Sequence, residues 1–85
     1  GSHYEINVRA AEYLASLNKS SKLSIQKLKE MSESKDWHDR LVCAWTLRDD
    51  SSTPAKEIKE KLINDNFQDD NGLYLIREAA GNYDS

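Results

Sequence analysis

The residues beyond position 3 with the clearest potential for nucleophilic chemistry are one cysteine and one histidine. Cys43 follows His38 by five residues, and on a helix this spacing turns the two side chains about 140° apart. A thiol and its general base must lie within hydrogen-bond reach, so the spacing does not predict a catalytic dyad. We expect Cys43 to be a buried, small apolar residue. A zinc site needs several Cys or His ligands, and the sequence does not supply them.

One acidic segment resembles a calcium-binding loop. Asp69, Asn71, Gly72 and Glu78 stand at places that an EF-hand loop fills with ligands or with its glycine. The first ligand place would fall on Phe67, which has no side-chain oxygen to offer. We therefore predict a polar turn between helices, capped by Asp69 or its neighbour, and no metal site.

The remaining carboxylate pairs fall where helices are expected to end or begin. General acid and base catalysis needs such groups in a pocket, and none is indicated. No phosphate-binding loop, dinucleotide fingerprint or zinc-protease motif occurs. We predict a protein that is not an enzyme, without catalytic residues, cofactor or small-molecule substrate. The pairs are Asp36 and Asp39, Asp49 and Asp50, and Asp69 and Asp70.

Length and composition are those of one small helical domain. Residues 1–3 match the remnant of a cleaved expression tag, which leaves residues 4–85 as a single domain. The chain has 38% hydrophobic and 32% charged residues with only three glycines and one proline, which places it among globular and not disordered proteins. No apolar run reaches the roughly 20 residues of a membrane span. The single cysteine excludes an internal disulfide, and we expect a cytoplasmic protein.

The charge is unevenly distributed along the chain. Residues 1–35 carry six Lys and Arg against four Asp and Glu, whereas residues 36–85 carry six against eleven. The lysines between positions 19 and 35 form a basic stretch. This stretch lacks the interleaved aromatic residues of a base-stacking platform, so nucleic acid is not the expected partner. The lysines of this stretch are Lys19, Lys22, Lys27, Lys29 and Lys35.

The 3.6-residue periodicity predicts five helices and no strand. Thr53 is the expected cap of the fourth, with Pro54 at its first position. The third helix is apolar around more than half of its circumference, which predicts packing on two sides. The predicted helices span residues 4–17, 22–32, 36–48, 54–64 and 72–82.

Each helix has a predicted inward face. That of the first helix comprises Ile6, Ala10, Tyr13, Leu14 and Leu17. That of the second comprises Ile25 and Leu28, with Met31 or Leu23. The third helix is expected to place Trp37 in the core and Trp45 at the flank of the buried stripe, where it is either buried or partly exposed. Its apolar residues are Trp37, Leu41, Val42, Cys43, Ala44, Trp45 and Leu47. The fourth buries Ala55, Ile58, Leu62 and Ile63, and the fifth Leu73, Leu75, Ile76, Ala79 and Ala80.

A pair of small residues, followed by a larger residue, recurs along the chain. Residues 7–14 match residues 40–47 at a spacing of 33, and residues 76–83 repeat the small pair after a further 36. Small residues at these places let neighbouring helices approach closely. The order resembles the short bacterial form of the HEAT-repeat family. One unit is matched by Pro54, Asp69, Asp70, Arg77, Ala79 and Ala80, and the second half of the preceding unit by Asp36, Asp39, Arg40, Ala44 and Leu47.

The resemblance implies a stack of antiparallel helix pairs, with a compact five-helix bundle as the alternative. In such a stack the first, third and fifth helices line one continuous binding face. We predict a non-catalytic module that binds a protein partner there, because Trp, Tyr and Arg dominate interface hot spots. The predicted contacts are Arg40, Trp45, Arg48, Tyr74, Arg77 and Glu78.

Two other functions stay open. The first is a small inhibitor or immunity protein of a phage or mobile element, which would block a nucleic-acid-processing or toxin enzyme with its acidic second half. The second is direct binding of nucleic acid through the basic stretch.

Overall fold

The computed structural model describes the backbone of residues 2–21 and 23–82 and the side chains of residues 8–21 and 23–81. These residues contain helices and no strand, as the periodicity predicts. The elements are α1 (Ser2–Ser21), α2 (Ile25–Ser32), α3 (Trp37–Thr46), α4 (Thr53–Leu62) and α5 (Leu75–Arg77), which continues into a π-helical turn (Glu78–Asn82).

The central element is α3, which contacts all four other helices. Leu41, Cys43 and Ala44 are fully buried on it. The prediction that this apolar helix packs on more than one side is therefore confirmed. Its two tryptophans, Trp37 and Trp45, are only half-buried, because they pack against the edge of the core and not within it.

Polar side chains cap the N-termini of α2, α3 and α4. The Ser24 hydroxyl accepts from the amide of Lys27 at the start of α2, and the Asp36 carboxylate caps α3. The predicted cap of α4, Thr53, is wrong by one residue, since Ser52 accepts from the Ala55 amide. Either hydroxyl can fill this role, and sequence alone does not distinguish adjacent candidates.

The first helix is longer than predicted. The segment Asn18 to Ser21, expected to be a turn, is the last turn of α1. The helix is held there by α3, because the Asn18 amide group donates to the Thr46 hydroxyl at 3.3 Å. Tertiary contacts therefore override the weak helix propensity of these polar residues.

The predicted inward face of α1 is wrong. Ala11 and Ala15 are buried instead, with Val8 half-buried against the same core. Two alanines let α1 lie close to α3, which is its main packing partner, whereas bulky side chains would hold the helices apart. Ile6 lies outside the described side chains. The exposed members of the predicted face are Ala10, Tyr13, Leu14 and Leu17.

The other inward faces are mostly confirmed. Leu28, Ala55, Ile58, Leu62, Ile76, Ala79 and Ala80 are buried. Three predicted core residues are exposed, namely Ile25, Ile63 and Leu73. Each lies at or beyond the end of a helix, where the chain turns away from the layer that would cover it.

The segment between α4 and α5 is an extended loop, and α5 begins three residues later than predicted. Asp69 organises this loop, because its carboxylate accepts from the amides of Asn71 and Leu73. Gly72 has a φ of 81°, a left-handed conformation that glycine adopts without steric cost. These bonds delay the helix to Leu75, although the sequence from Gly72 onward has helical periodicity.

Candidate partner-binding groove

Two side chains at the C-terminal end of α3 lie between neighbouring concavities. Trp45 is half-buried and Arg48 is exposed, and both line a concavity of about 180 Å³ and a second of about 190 Å³. They follow Leu41 at helical spacing, so the three side chains lie along one side of α3. Together the two concavities form one surface feature, which we call the α1–α3 groove.

The first concavity has an apolar floor. It is formed by α1, α3 and α5 through Val8, Leu41, Leu75 and Ala79, and Glu78 also lines it. Leu41 and Ala79 are buried, whereas Val8 and Leu75 are half-buried. A partner side chain that enters here would therefore remove apolar surface from water, which is favourable.

The second concavity is polar. Glu12, Ser16 and Lys19 of α1 line it beside Trp45 and Arg48. The Lys19 ammonium also lies 3.4 Å from the Asp49 carboxylate. This pair is exposed, so it contributes little to stability and leaves both groups accessible to a partner. The groove thus combines an apolar end with an end that carries both signs of charge.

The six predicted contacts separate into two groups. Trp45, Arg48 and Glu78 line the groove. The other three, Arg40, Tyr74 and Arg77, lie around the loop between α4 and α5 and bind within the chain. The structure therefore brings together three of the predicted residues and places the rest in a different cluster.

Asp65 is the centre of that second cluster. Its carboxylate accepts from Arg40 Nε at 2.7 Å and from the Phe67 amide at 3.0 Å. Arg40 also donates to the Ser34 carbonyl at 2.9 Å. The Arg77 guanidinium donates to the Asp65 carbonyl at 2.7 Å and lies 3.8 Å from the ring centroid of Tyr74. Two arginines thus fasten the loop to α3 and α5.

Aromatic stacking reinforces the same loop. Trp37 and Phe67 stack with centroids 4.6 Å apart and an interplanar angle of 5°. His38 meets the Trp37 ring edge-on at 5.8 Å. The predicted core role of Trp37 is met in part, since its ring packs on the loop as well as on the edge of the core.

Cys43 is a poor nucleophile at neutral pH. Its thiol is buried and donates to the Leu28 carbonyl at 3.1 Å. Burial raises the pKa of the Cys43 thiol from 9.0 to about 12, an effect only partly offset by the Lys61 charge. The thiolate is the nucleophilic form, so this side chain acts as a small core residue, as predicted.

The aspartates of the acidic half are largely occupied by turns. Asp36 accepts from the His38 amide, and Asp39 accepts from the Ser34 hydroxyl. The Asp50 carboxylate accepts from the Ser52 amide, and this hydrogen bond lowers its pKa. Among the described residues, no group of three or more His, Cys, Asp and Glu is placed to hold a metal ion.

No protein-family model, curated protein or solved structure matches this chain. None of the described helices is long and apolar enough to cross a membrane.

The predicted contacts omit the groove residues that α1 contributes. Val8, Glu12 and Lys19 are missing from them because the predicted inward face of α1 lies on the wrong stripe. A usable signal is present in the sequence, since Val8, Ala11 and Ala15 follow one another at helical spacing. This stripe of small residues points to the side of α1 on which the groove lies.

Proposed function

We propose that this chain is a non-catalytic module that binds a protein partner in the α1–α3 groove. One observation carries the proposal, namely that Trp45 and Arg48 are shared by an apolar and a polar concavity that adjoin. Tryptophan and arginine are among the residue types most enriched in interface hot spots. An apolar partner side chain would enter beside Trp45, while a partner carboxylate would pair with Arg48.

The proposal assigns different roles to the two groups of predicted contacts. Trp45, Arg48 and Glu78 touch the partner. Arg40 and Arg77 act indirectly, because their hydrogen bonds to Asp65 fix the loop that precedes α5. A fixed loop keeps the floor of the groove in place, which lowers the entropy lost on binding.

A HEAT-like architecture is part of the proposal. Alternate helices contact each other, α1 with α3 and α3 with α5, while α2 contacts α4. Such contacts support a two-layer stack in which α1, α3 and α5 form the binding layer. A compact five-helix bundle is the alternative arrangement. A cytoplasmic location belongs to the same proposal.

The inhibitor function is a weaker second candidate. It requires acidic groups that are available to a basic enzyme surface. Asp65 is held by Arg40, and the carboxylates of Asp50 and Asp69 accept backbone amides of their own turns. Asp49 and Asp50 stay exposed, but the pairing of Asp65 with Arg40 removes one acidic group from this half, which favours the groove as the binding surface.

Affinity capture followed by mass spectrometry tests the proposal. The bait is the intact chain, and it is compared with a Trp45→Ala/Arg48→Ala variant and a Lys27→Ala/Lys29→Ala variant. Proteins that bind in the groove are retained by the wild type and the lysine variant but lost by the tryptophan and arginine variant. Circular dichroism verifies that each bait is folded. If the lysine variant alone loses the captured protein, the groove is not the binding surface.

A further inference from the structure

A third concavity adjoins the α1–α3 groove at the C-terminal end of α3. It has a volume of about 360 Å³, and Lys19 lines both it and the polar concavity of the groove. A partner segment that leaves the polar end of the groove therefore reaches this concavity directly. We call it the Asp49 pocket; its floor includes Leu23, Leu28 and Leu47, and its rim includes Lys19, Asp49 and Asp50.

The floor of the Asp49 pocket is apolar. Leu28 and Leu47 are buried, and Leu23 is half-buried. The methylene stem of a lysine or arginine packs on apolar surface of this kind while its charged group remains near water. The pocket therefore suits a long basic side chain better than a bare ion.

The rim of the Asp49 pocket carries two exposed carboxylates, those of Asp49 and Asp50. The Lys19 ammonium pairs with Asp49 at 3.4 Å, but the pair is exposed and therefore weak. Asp50 accepts from the Ser52 amide and has no ion pair within the described part of the chain. An ionised carboxylate accepts several donors. The nearby Lys59 ammonium donates to backbone carbonyl groups, so both carboxylates can accept from an incoming cation.

Two helix ends add negative charge at the Asp49 pocket. α1 and α3 run in the same direction, since Val8 and Leu41 line the first concavity and Lys19 meets Asp49 at the other end. The last turn of α1 and Thr46, the last residue of α3, both line the pocket. A helix C-terminus carries partial negative charge, and the last turn of α3 contains no basic residue. Both the carboxylates and the helix ends favour a cation.

We propose that the partner segment bound in the α1–α3 groove places an arginine or lysine side chain in the Asp49 pocket. The inference rests on the proposed function and gives the segment a residue pattern. Val8 and Lys19 are eleven residues apart on α1, which is about 16 Å of helix. Roughly five residues of extended chain therefore separate the apolar side chain beside Trp45 from the basic one, and the carboxylate that pairs with Arg48 lies between them.

A titration of the isotope-labelled, intact chain with N-acetyl-argininamide tests the pocket without the partner. Amide chemical shifts of Asn18, Leu47 and Asp49 are expected to change and to saturate, with a dissociation constant on the order of 10 mM. N-acetyl-norleucinamide has an aliphatic stem without the charge. It is expected to bind at least about tenfold more weakly, because it makes no charge-assisted hydrogen bond.

Two double variants test the rim. Asp49→Asn/Asp50→Asn should abolish the shifts caused by N-acetyl-argininamide, and an amide oxygen at position 50 can still accept from Ser52. Glu57→Gln/Glu60→Gln is the matched control, because it removes the same charge from exposed positions of α4 and should leave the shifts unchanged. Shifts that do not saturate, that persist in the aspartate variant, or that the neutral compound causes equally would overturn the proposal.

The captured partner separates this inference from the proposed function. Isothermal titration should show a rise of about tenfold in its dissociation constant for Asp49→Asn/Asp50→Asn and none for the α4 control. A partner that is weakened by Trp45→Ala/Arg48→Ala but not by the aspartate variant would overturn the Asp49 pocket and leave the groove as the binding surface. A partner that neither variant weakens would overturn both.

Discussion

α3 and α1 show two ways in which an apolar helix is used in this protein. α3 is apolar around most of its circumference and contacts every other helix. α1 carries two apolar stripes side by side and buries only the one with the smaller residues. Burial on α3 follows from the number of apolar residues, whereas burial on α1 follows from their size.

The difference shows that hydrophobicity and packing are separate requirements. Leu14 and Leu17 are more hydrophobic than Ala11 and Ala15, yet the leucines are exposed. The close approach of α1 to α3 removes backbone and side-chain surface along several turns, and only small residues permit it. The stripe of larger residues then remains available for contacts outside the chain.

The largest expected effect is the difference in stability loss between truncating a leucine of α3 and truncating a leucine of α1. Leu41→Ala on α3 removes a side chain that is 0% exposed and should lower the free energy of unfolding by about 2–5 kcal/mol, because a cavity remains. Leu17→Ala on α1 should cost less than about 1 kcal/mol, because Leu17 is exposed. Chemical denaturation at low protein concentration measures both. Equal losses would show that Leu17 is buried in solution.

Two neighbouring alanines test the importance of size. Ala11→Leu inserts bulk between α1 and α3 and should destabilise the fold by about 1–3 kcal/mol. Ala10→Leu adds bulk at an exposed position of α1 and should change stability by no more than about 0.5 kcal/mol. Thermal unfolding followed by circular dichroism compares them. The inverse order would show that the side of α1 with Ala10, and not the side with Ala11, faces α3.

The ion pair between Arg40 and Asp65 should stabilise the fold more than the exposed ion pair between Lys19 and Asp49. Arg40→Ala breaks a pair whose side chains are 18% and 9% exposed and leaves the Asp65 carboxylate without its main donor. We expect a loss of about 1–3 kcal/mol. Lys19→Ala breaks an exposed pair of α1 and should cost at most about 1 kcal/mol. Urea denaturation in low and high salt distinguishes them, since salt screens only the exposed pair strongly.

A smaller effect concerns pH. The pKa of Cys43 rises from 9.0 to about 12 in the folded chain, so the unfolded state loses this proton first. The contribution of Cys43 to the free energy of unfolding is complete below pH 9. It declines as the pH rises towards 12, by about 1.4 kcal/mol per pH unit at most. The wild type should therefore lose stability relative to Cys43→Ala as the pH rises above about 9, which urea denaturation over a pH series measures. A constant difference between the two proteins would show that the thiol is accessible to solvent.

Much of the fold could be predicted from the sequence, because its signals are local. Apolar periodicity locates α2, α3 and α4, and Pro54 marks the beginning of α4 within one residue. The start of α5 could not be predicted in this way. The Asp69 carboxylate and the left-handed Gly72 hold the chain in a turn, although the residues there also have helical periodicity.

The candidate site can be predicted only where it depends on α3. Trp45 and Arg48 follow from residue type and helical spacing, whereas the α1 residues of the groove depend on which side of α1 faces α3. Arg40 and Arg77 have the residue type of interface contacts, but Asp65 lies far away in sequence and binds both. Long-range partners of this kind are invisible to periodicity.

The affinity of the captured partner for groove variants tests the central claim most directly. Isothermal titration should show that Trp45→Ala/Arg48→Ala weakens binding by about 2 kcal/mol or more, which is a rise of about thirtyfold or more in the dissociation constant. Cys43→Ser and His38→Gln should leave the affinity nearly unchanged. A folded Trp45→Ala/Arg48→Ala protein that binds as tightly as the wild type would contradict the claim that the α1–α3 groove is the binding surface.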